Sequence, residues 1–189
     1  RNQSESNPYP RWMNLRLNNP TSVESILKRL NLRVFDEKIK TVKKPEILVA
    51  GCGTGQHSIK VASRFKNSKV LAVDLSLSSL AFAIRRSDDL AIDNIDYLQA
   101  DILDLAELDR QFDIIESAGV LHHMSDPIGG FKVLYDLLKP NGFLRIGLYS
   151  EIARMHIVEA REIIKKTTPA TKTAPSASAG VYSIPKQTP

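Results

Sequence analysis

The sequence contains a single cysteine and no long apolar run. Cys52 has no second cysteine to pair with in this chain, so nothing in the cysteine content points to an oxidising compartment. No stretch approaches the roughly 18 uninterrupted apolar residues that a membrane-spanning helix needs. The first ten residues are polar, unlike the apolar core of a signal peptide. We therefore expect a cytoplasmic protein with no membrane among its partners.

An initiating methionine is also missing. The chain begins with Arg1, and we expect its 189 residues to be a fragment of a longer protein. Hydrophobic residues make up 42% of the chain and charged residues 25%. This length and composition are those of one globular domain with its own apolar core.

A continuous basic surface is not indicated, although the net charge is +5. Residues 1–44 carry a net charge of +6, residues 45–150 carry −4, and residues 151–189 carry +3. Binding to a phosphate backbone needs a basic face along the working surface. Because the central segment is acidic, the charge distribution disfavours nucleic acid as a partner.

Five short apolar runs alternate with helical patterns after Pro45. The runs cover 46–50, 69–73, 95–98, 112–115 and 143–148, and the helical patterns cover 56–65, 77–86 and 128–138. Strands that alternate with helices at this spacing favour βαβ units and a parallel sheet. We predict an α/β fold, a Rossmann-like open parallel sheet with helices on both faces, which binds ligands at the carboxyl ends of its strands.

The flanking segments differ from this core, which we place at residues 45–166 with a last helix over 151–166. Residues 1–44 predict an N-terminal arm and helices, with Thr21 and Glu24 spaced as a capping box at the first helix. Residues 167–189 are rich in Thr, Ala, Pro and Ser and predict a flexible tail. Within that tail, 181–184 is strand-like.

A glycine-rich turn links the first predicted strand to the helix that follows it. The residues are Gly51-Cys52-Gly53-Thr54-Gly55, and backbone without Cβ atoms can turn sharply and approach a ligand closely. Such turns serve several classes of nucleotide and phosphate site, or have a structural role alone. The dinucleotide fingerprint requires another glycine at position 56, where this chain has Gln56.

Carboxylates follow the next two predicted strands. Asp74 ends the second strand, where a carboxylate can accept two hydrogen bonds from the hydroxyls of a ribose. Asp101 follows the third strand and could accept from an adenine amino group while Ile102 packs on the ring. Three elements on successive strand ends are far more specific for a nucleoside ligand than the turn alone.

Four segments together resemble the ordered motifs of class I S-adenosylmethionine-dependent methyltransferases. They are ILVAGCGTG, VLAVDLS, YLQADILDL and FDIIESAGVLHHMSDP, within residues 46–150. The resemblance implies S-adenosylmethionine as the cofactor. It places the methionine moiety at Gly51, Cys52, Gly53 and Gly55, the ribose at Asp74 and Leu75, the adenine at Asp101 and Ile102, and Ser117 on the wall of the pocket.

The resemblance narrows further at the two ends of the core. NPYPRW and RIGLYSEIAR are similar to segments of bacterial methyltransferases that often carry tetratricopeptide repeats before the catalytic domain. No such repeat is visible in these residues. An upstream repeat region in the full-length protein is therefore an expectation from the resemblance alone.

Two departures from the family pattern keep an alternative function open. Val49 stands where the family usually has an acid, two residues before the first glycine. The family's sheet also ends in an antiparallel hairpin of two further strands, for which the tail offers little, so the sheet is predicted to be incomplete. The alternative is a catalytically inactive binding or scaffolding domain. A nicotinamide oxidoreductase is a third hypothesis, which rests on the turn and Asp74.

His122 and His123 follow the fourth predicted strand, at the edge where an acceptor would meet the methyl group. An imidazole titrates near neutral pH, so either histidine is a candidate general base, or both shape the loop. No zinc-like spacing accompanies them, and we predict no metal. Cys52 is interpreted as structural. Tyr9 and Trp12 either cover the site or anchor the arm.

Motifs for particular methyl acceptors are missing. The fourth strand is not followed by the Asn/Asp-Pro-Pro-aromatic motif used on the amino groups of adenine or glutamine, nor by a Pro-Cys nucleophile for cytosine. Small-molecule, protein and RNA acceptors all stay open, and the acidic core favours a small molecule or a protein as the unidentified acceptor.

Overall fold

The computed structural model describes residues 12–32, 34, 36–148 and 180–185, and it contains one six-stranded sheet. The strands are β1 (Glu46–Ala50), β2 (Lys69–Asp74), β3 (Ile95–Gln99), β4 (Phe112–Ala118), β5 (Leu138–Leu148) and β6 (Gly180–Pro185). Their order across the sheet is β3-β2-β1-β4-β5-β6. The first five strands are parallel and β6 is antiparallel to β5.

Within these described ranges, four α-helices and three short 3₁₀ segments accompany the sheet. The helices are α1 (Val23–Arg29), α2 (Gln56–Arg64), α3 (Leu77–Asp89) and α4 (Pro127–Asp136), and the 3₁₀ segments are Glu37–Thr41, Leu103–Glu107 and Leu121–His123. Among the described residues, no helix combines the length and apolar character needed to cross a bilayer.

Both faces of the sheet are buried, as the side chains of β1 show. Ile47 and Val49 pack into one apolar cluster with residues of α1 and α2, while Leu48 and Ala50 pack into a second cluster with residues of α4. All four are 0% exposed. A strand covered on both faces reads as a continuous apolar run. The predicted Rossmann-like sheet with helices on both faces is confirmed.

The start of α1 differs from the predicted capping box. Ser22 is the N-cap, and its side chain accepts a hydrogen bond from the Ser25 N–H at 3.2 Å. Thr21 instead forms an isolated bridge with Phe65, donating its N–H to the Arg64 carbonyl at 2.9 Å. Because the backbone of Thr21 pairs with the end of α2, the N-cap of α1 is the next residue, Ser22.

Strand β5 begins earlier than the sequence predicts. It runs through Pro140–Gly142, which we expected to separate α4 from the strand. The pairing of β4 with β5 shifts register between Phe112 and Ile114, and Asn141 has φ 65°. The turn-forming residues thus produce an irregularity within the strand.

The strand-like segment at 181–184 forms most of β6. It lies along the outer edge of β5, with Leu144 opposite Ile184, and so pairs backbone groups that an edge strand would otherwise expose. Residues 180–185 of the predicted flexible tail are therefore in the sheet, and the described residues contain one antiparallel strand. The predicted helix over 151–166 and the rest of the tail lie outside the described residues.

Burial on α4 yields a stability prediction. Leu134 is 0% exposed in the second cluster, whereas Ile128 on the same helix is 80% exposed. Leu134→Ala should lower the free energy of unfolding by about 2 to 5 kcal/mol because it leaves a cavity. Ile128→Ala should change it by less than about 0.5 kcal/mol. Denaturant unfolding compares the two variants, and equal losses would contradict this placement of α4.

Candidate functional site

A cavity of about 420 Å³ opens at the carboxyl ends of β1 to β4. Strand β1 lies between β2 and β4, so successive strands are added first on one side of it and then on the other. Clefts in open α/β sheets form at such switch points. The lining residues are Gly51, Val73, Asp74, Leu75, Ser76, Ala100, Asp101, Ile102, Leu103, Gly119, Val120, His123, Met124 and Ser125.

The glycine turn is fastened to the neighbouring strand by backbone hydrogen bonds. The N–H groups of Gly51 and Cys52 both donate to the Val73 carbonyl, at 2.8 and 2.9 Å. Gly51, Gly53 and Gly55 all have positive φ values, 76°, 53° and 84°, which glycine adopts without the steric cost of a Cβ. The turn therefore folds over the end of β2 rather than pointing into solvent.

Asp74 connects the turn to the end of β2. Its Oδ2 accepts from the Gly53 N–H at 2.7 Å, and its Oδ1 accepts from the Ser76 N–H at 3.0 Å. An ionised carboxylate has about four acceptor positions. Asp74 can therefore hold both backbone segments and still accept hydrogen bonds from a ligand in the cavity it lines.

The end of β3 supplies the opposite part of the same cavity. Asp101 accepts a hydrogen bond from the Leu103 N–H through Oδ1 at 3.0 Å, which leaves its other oxygen available to a ligand. Ile102 is 6% exposed and packs in the second apolar cluster while lining the cavity. The structure thus brings Gly51, Asp74 and Asp101 together at one edge of the sheet.

The loop after β4 closes the cavity against the glycine turn. Val120 approaches Gly51 so closely that a Cβ built on Gly51 would lie 2.2 Å from Val120 Cγ2. His123 is exposed and lines the cavity, whereas His122 is half-buried and does not. The two imidazole rings are 4.0 Å apart between centroids. Of the two candidate bases, His123 is the one that faces the cleft.

Several predicted site residues do not line the cavity. Ser117 was expected just past the fourth strand, but β4 continues to Ala118, so Ser117 lies within the strand and is 1% exposed. Cys52, Gly53 and Gly55 belong to the same turn as Gly51 but do not line the cavity.

The structure also bears on the role of Cys52. Burial raises the pKa of its thiol, and the charge of Asp74 raises it further. A thiol that stays protonated is a poor nucleophile, which supports a structural role for this residue.

Trp12 anchors the arm that precedes α1. It is 7% exposed, and its indole N–H donates to the carbonyl of Thr54 in the glycine turn at 3.1 Å. The Arg86 guanidinium lies 4.8 Å from the centre of the ring, and Phe82 meets it edge-on at 6.0 Å. Trp12 thus attaches the arm to the glycine turn. Tyr9 lies outside the described residues.

Some lining residues had not been singled out from the sequence. Ser76 and Leu103 each lie two residues beyond a predicted acid, so a wider window around Asp74 and Asp101 would have included them. Val120, Met124 and Ser125 belong to the loop after β4. The approach of Val120 to the glycine turn depends on the pairing of β1 with β4, which no local pattern encodes.

Comparison with known proteins agrees with this geometry. A family model described as a methyltransferase domain matches residues 47–142. Over 122 residues the chain is 38% identical to an uncharacterized protein of Synechococcus, covering 64% of this chain and 29% of that protein. Over 139 residues it is 28% identical to a ubiquinone biosynthesis O-methyltransferase of Ruegeria pomeroyi, covering 71% of this chain and 54% of that enzyme.

A solved structure shows the same fold. PKMT2 from Rickettsia typhi, in complex with AdoHcy (S-adenosylhomocysteine), superposes with a TM-score of 0.58 at 28% identity, covering 65% of this chain and 24% of that chain. The chain therefore spans from about a quarter to about half of the length of these relatives.

The contact between Gly51 and Val120 can be tested by substitution. Gly51→Ala should lower the free energy of unfolding. The φ of 76° alone should cost an alanine about 1 to 3 kcal/mol, and overlap of its Cβ with the Val120 side chain should add to this loss. Adding Val120→Ala should restore part of this loss because it removes both Cγ atoms. Denaturant unfolding measures both variants. If Gly51→Ala unfolded like the parent chain, the two loops could not be in contact.

Proposed function

The chain belongs to the methyltransferase domain family, and from that membership we propose that it transfers a methyl group from S-adenosylmethionine to a small-molecule or protein acceptor. The observation that carries the proposal is the convergence of Gly51, Asp74 and Asp101 on one cavity. Each stands at the end of a different parallel strand. In a ligand that consists of an amino acid end, a ribose and a base, each part could contact a different one of these three residues.

The residues present suit this cofactor. The cavity of about 420 Å³ lies within the range of roughly 300 to 1,000 Å³ typical of small-molecule sites. A side chain at position 51 would overlap Val120, so the bare backbone of Gly51 lets the loop after β4 pack against the turn that lines the cavity. The AdoHcy complex of the Rickettsia relative supports the same cofactor.

Each strand end has a distinct task in this proposal. Asp74 would hold the ribose hydroxyls while its bond to the Gly53 N–H keeps the turn in place. Leu75 and Ile102 would pack against the nucleoside, and Asp101 would accept from the adenine amino group. Bound S-adenosylmethionine supplies a methyl group on a sulfonium centre.

Proton removal from the acceptor is the one step that could need a protein side chain. Methyl transfer is an in-line displacement, so positioning of the acceptor provides much of the rate, with a base required where the nucleophile carries a proton. His123 is exposed on the wall of the cavity. It is the candidate general base, in preference to the half-buried His122.

The acceptor class rests on charge and on the relatives. The core segment that forms the cleft has a net charge of −4, which disfavours a polyanionic acceptor such as RNA. The Ruegeria relative is an O-methyltransferase of ubiquinone biosynthesis, and this supports a small-molecule acceptor. A protein acceptor is retained because a cleft open at a sheet edge can also admit a side chain.

The second candidate function is a binding or scaffolding domain without catalysis. Val49, in place of the family's usual acid, favours it, since a weakened turn would lower cofactor affinity. A fold by itself does not establish an activity. The two candidates differ in whether a methyl group leaves the bound cofactor.

Asp74 gives the sharpest test of cofactor binding. Asp74→Ala should weaken S-adenosylhomocysteine binding by about 2 to 4 kcal/mol, because charge-assisted hydrogen bonds to the ribose are lost and the Gly53 N–H loses its acceptor. Isothermal titration measures the affinity. Asp96→Ala is the matched control, since Asp96 is an exposed acid on β3, and it should bind within about twofold of the parent chain. Unchanged affinity in Asp74→Ala would show that the ribose lies elsewhere.

Methyl transfer itself can be followed with labelled cofactor. We expect S-adenosylmethionine labelled in its methyl group to label an acceptor in a cell lysate, in the small-molecule or the protein fraction, when this chain is added. Asp74→Ala should reduce the incorporation. Cofactor binding with no label in any fraction would support the scaffolding function, and label that is released by nuclease would contradict the proposed acceptor classes.

A further inference from the structure

Glu116 on β4 is a buried carboxylate that the proposed chemistry does not use. The residue is 1% exposed. Its Oε1 accepts from Arg64 Nη1 at 3.0 Å, and its Oε2 accepts from Arg145 Nη1 at 2.9 Å. His57 Nε2 lies 2.7 Å from the same Oε2. Because an ionised carboxylate has no proton to donate, His57 is the donor in this contact.

The Glu116 carboxylate is ionised in spite of its burial. Burial alone would raise its pKa, but the hydrogen bond and charge of His57, with the charges of Arg64 and Arg145, outweigh burial and lower the pKa to about 2. A buried ion pair is weak evidence for stability, since apolar residues of similar volume often stabilise a fold as well. Its better-attested use is to fix one arrangement among several.

Two of the three partners of Glu116 belong to α2. His57 and Arg64 are seven residues apart, which places them two turns apart on one face of the helix. His57 lies in the first turn, two residues after Gly55. Gly55 is the N-cap of α2 and makes no side-chain capping hydrogen bond. The contact between His57 and Glu116 therefore joins the start of α2, and with it the end of the glycine turn, to the sheet.

Glu116 also lies beside the position where the family pattern is broken. Val49 on β1 and Glu116 on β4 are partners in the parallel register, so their side chains project from the same face of the sheet. Val49 is 0% exposed and carries no charge. The carboxylate that faces the start of α2 is thus supplied by the neighbouring strand.

We propose that Glu116 is a positioning residue for the cofactor site, which acts through His57 to fix the first turn of α2 and the Gly51–Gly55 turn. The inference rests on the proposed function, because it assigns Glu116 to the cofactor affinity of that same cleft. Arg145 provides an internal comparison. It binds the same oxygen of Glu116 as His57 does, but it stands on β5, away from the turn.

The test compares cofactor affinity with thermal stability in three variants. Isothermal titration with S-adenosylhomocysteine and thermal unfolding are measured for Glu116→Gln, His57→Leu and Arg145→Met. Each should lower the melting temperature, because each weakens the charge-assisted hydrogen bonds that compensate the burial of the Glu116 carboxylate. Glu116→Gln and His57→Leu should also weaken binding by about tenfold or more, the loss expected for one charge-assisted hydrogen bond. Arg145→Met should bind within about twofold of the parent chain.

Rescue and coupling distinguish positioning from general destabilisation. His57→Gln keeps a donor at a similar reach and should bind within about threefold of the parent chain. The double variant Glu116→Gln/His57→Leu should bind no more weakly than the weaker single variant, since both changes remove one contact. If Glu116→Gln does not fold, the comparison of His57→Leu with Arg145→Met decides.

Two results would overturn the inference. One is an affinity loss in Arg145→Met as large as that in His57→Leu, which would make the cluster a stability element alone. The other is binding by His57→Leu that equals that of the parent chain. Failure of the parent chain itself to bind S-adenosylhomocysteine would instead count against the proposed function.

Discussion

The hydrogen bond from the Gly53 N–H to the Asp74 carboxylate, 2.7 Å long, is the interaction on which the shape of the cleft depends. It joins the turn after β1 to the end of β2. The two backbone hydrogen bonds from the turn to the Val73 carbonyl also hold the turn against the end of β2. Because this turn leads directly into α2, the bond at Asp74 also holds the segment that precedes the helix. The wall formed by Asp101 and Val120 then faces a turn whose position is already defined.

Much of the fold could be predicted because it depends on local patterns. Strand β1 was predicted with its observed bounds, and β2 and β3 were each predicted one residue too short at the C-terminal end. These strands were predictable because apolar β-forming runs end at polar or glycine residues. The errors arose where long-range pairing decides. Thr21 does not cap α1 because its backbone forms a bridge with Phe65. Strand β5 extends through Pro140–Gly142 because it pairs with β4.

The candidate site was predictable in part for the same reason. Gly51, Asp74, Asp101 and Ile102 were chosen as strand-end residues, and the structure places all four on one cavity; their roles toward the cofactor remain predictions. The network around Glu116 was not foreseen. His57 and Arg64 are 59 and 52 residues away from Glu116 in sequence, and only the register of β1 with β4 brings them together. Ser117 was misplaced because β4 is longer than its apolar run.

The sequence allows the cofactor-binding residues of the cleft to be predicted, but it does not identify the residues that bind the methyl acceptor. The reason is chemical. Ribose and adenine need particular acceptors at particular strand ends, whereas an in-line methyl displacement needs mainly a shaped space and, at most, one base. The most direct test of the central claim is a crystal structure of this chain with S-adenosylhomocysteine. The ribose hydroxyls should lie within hydrogen-bonding distance of Asp74, with the adenine beside Asp101 and Ile102. A ligand bound away from the ends of β1 to β3 would contradict the claim.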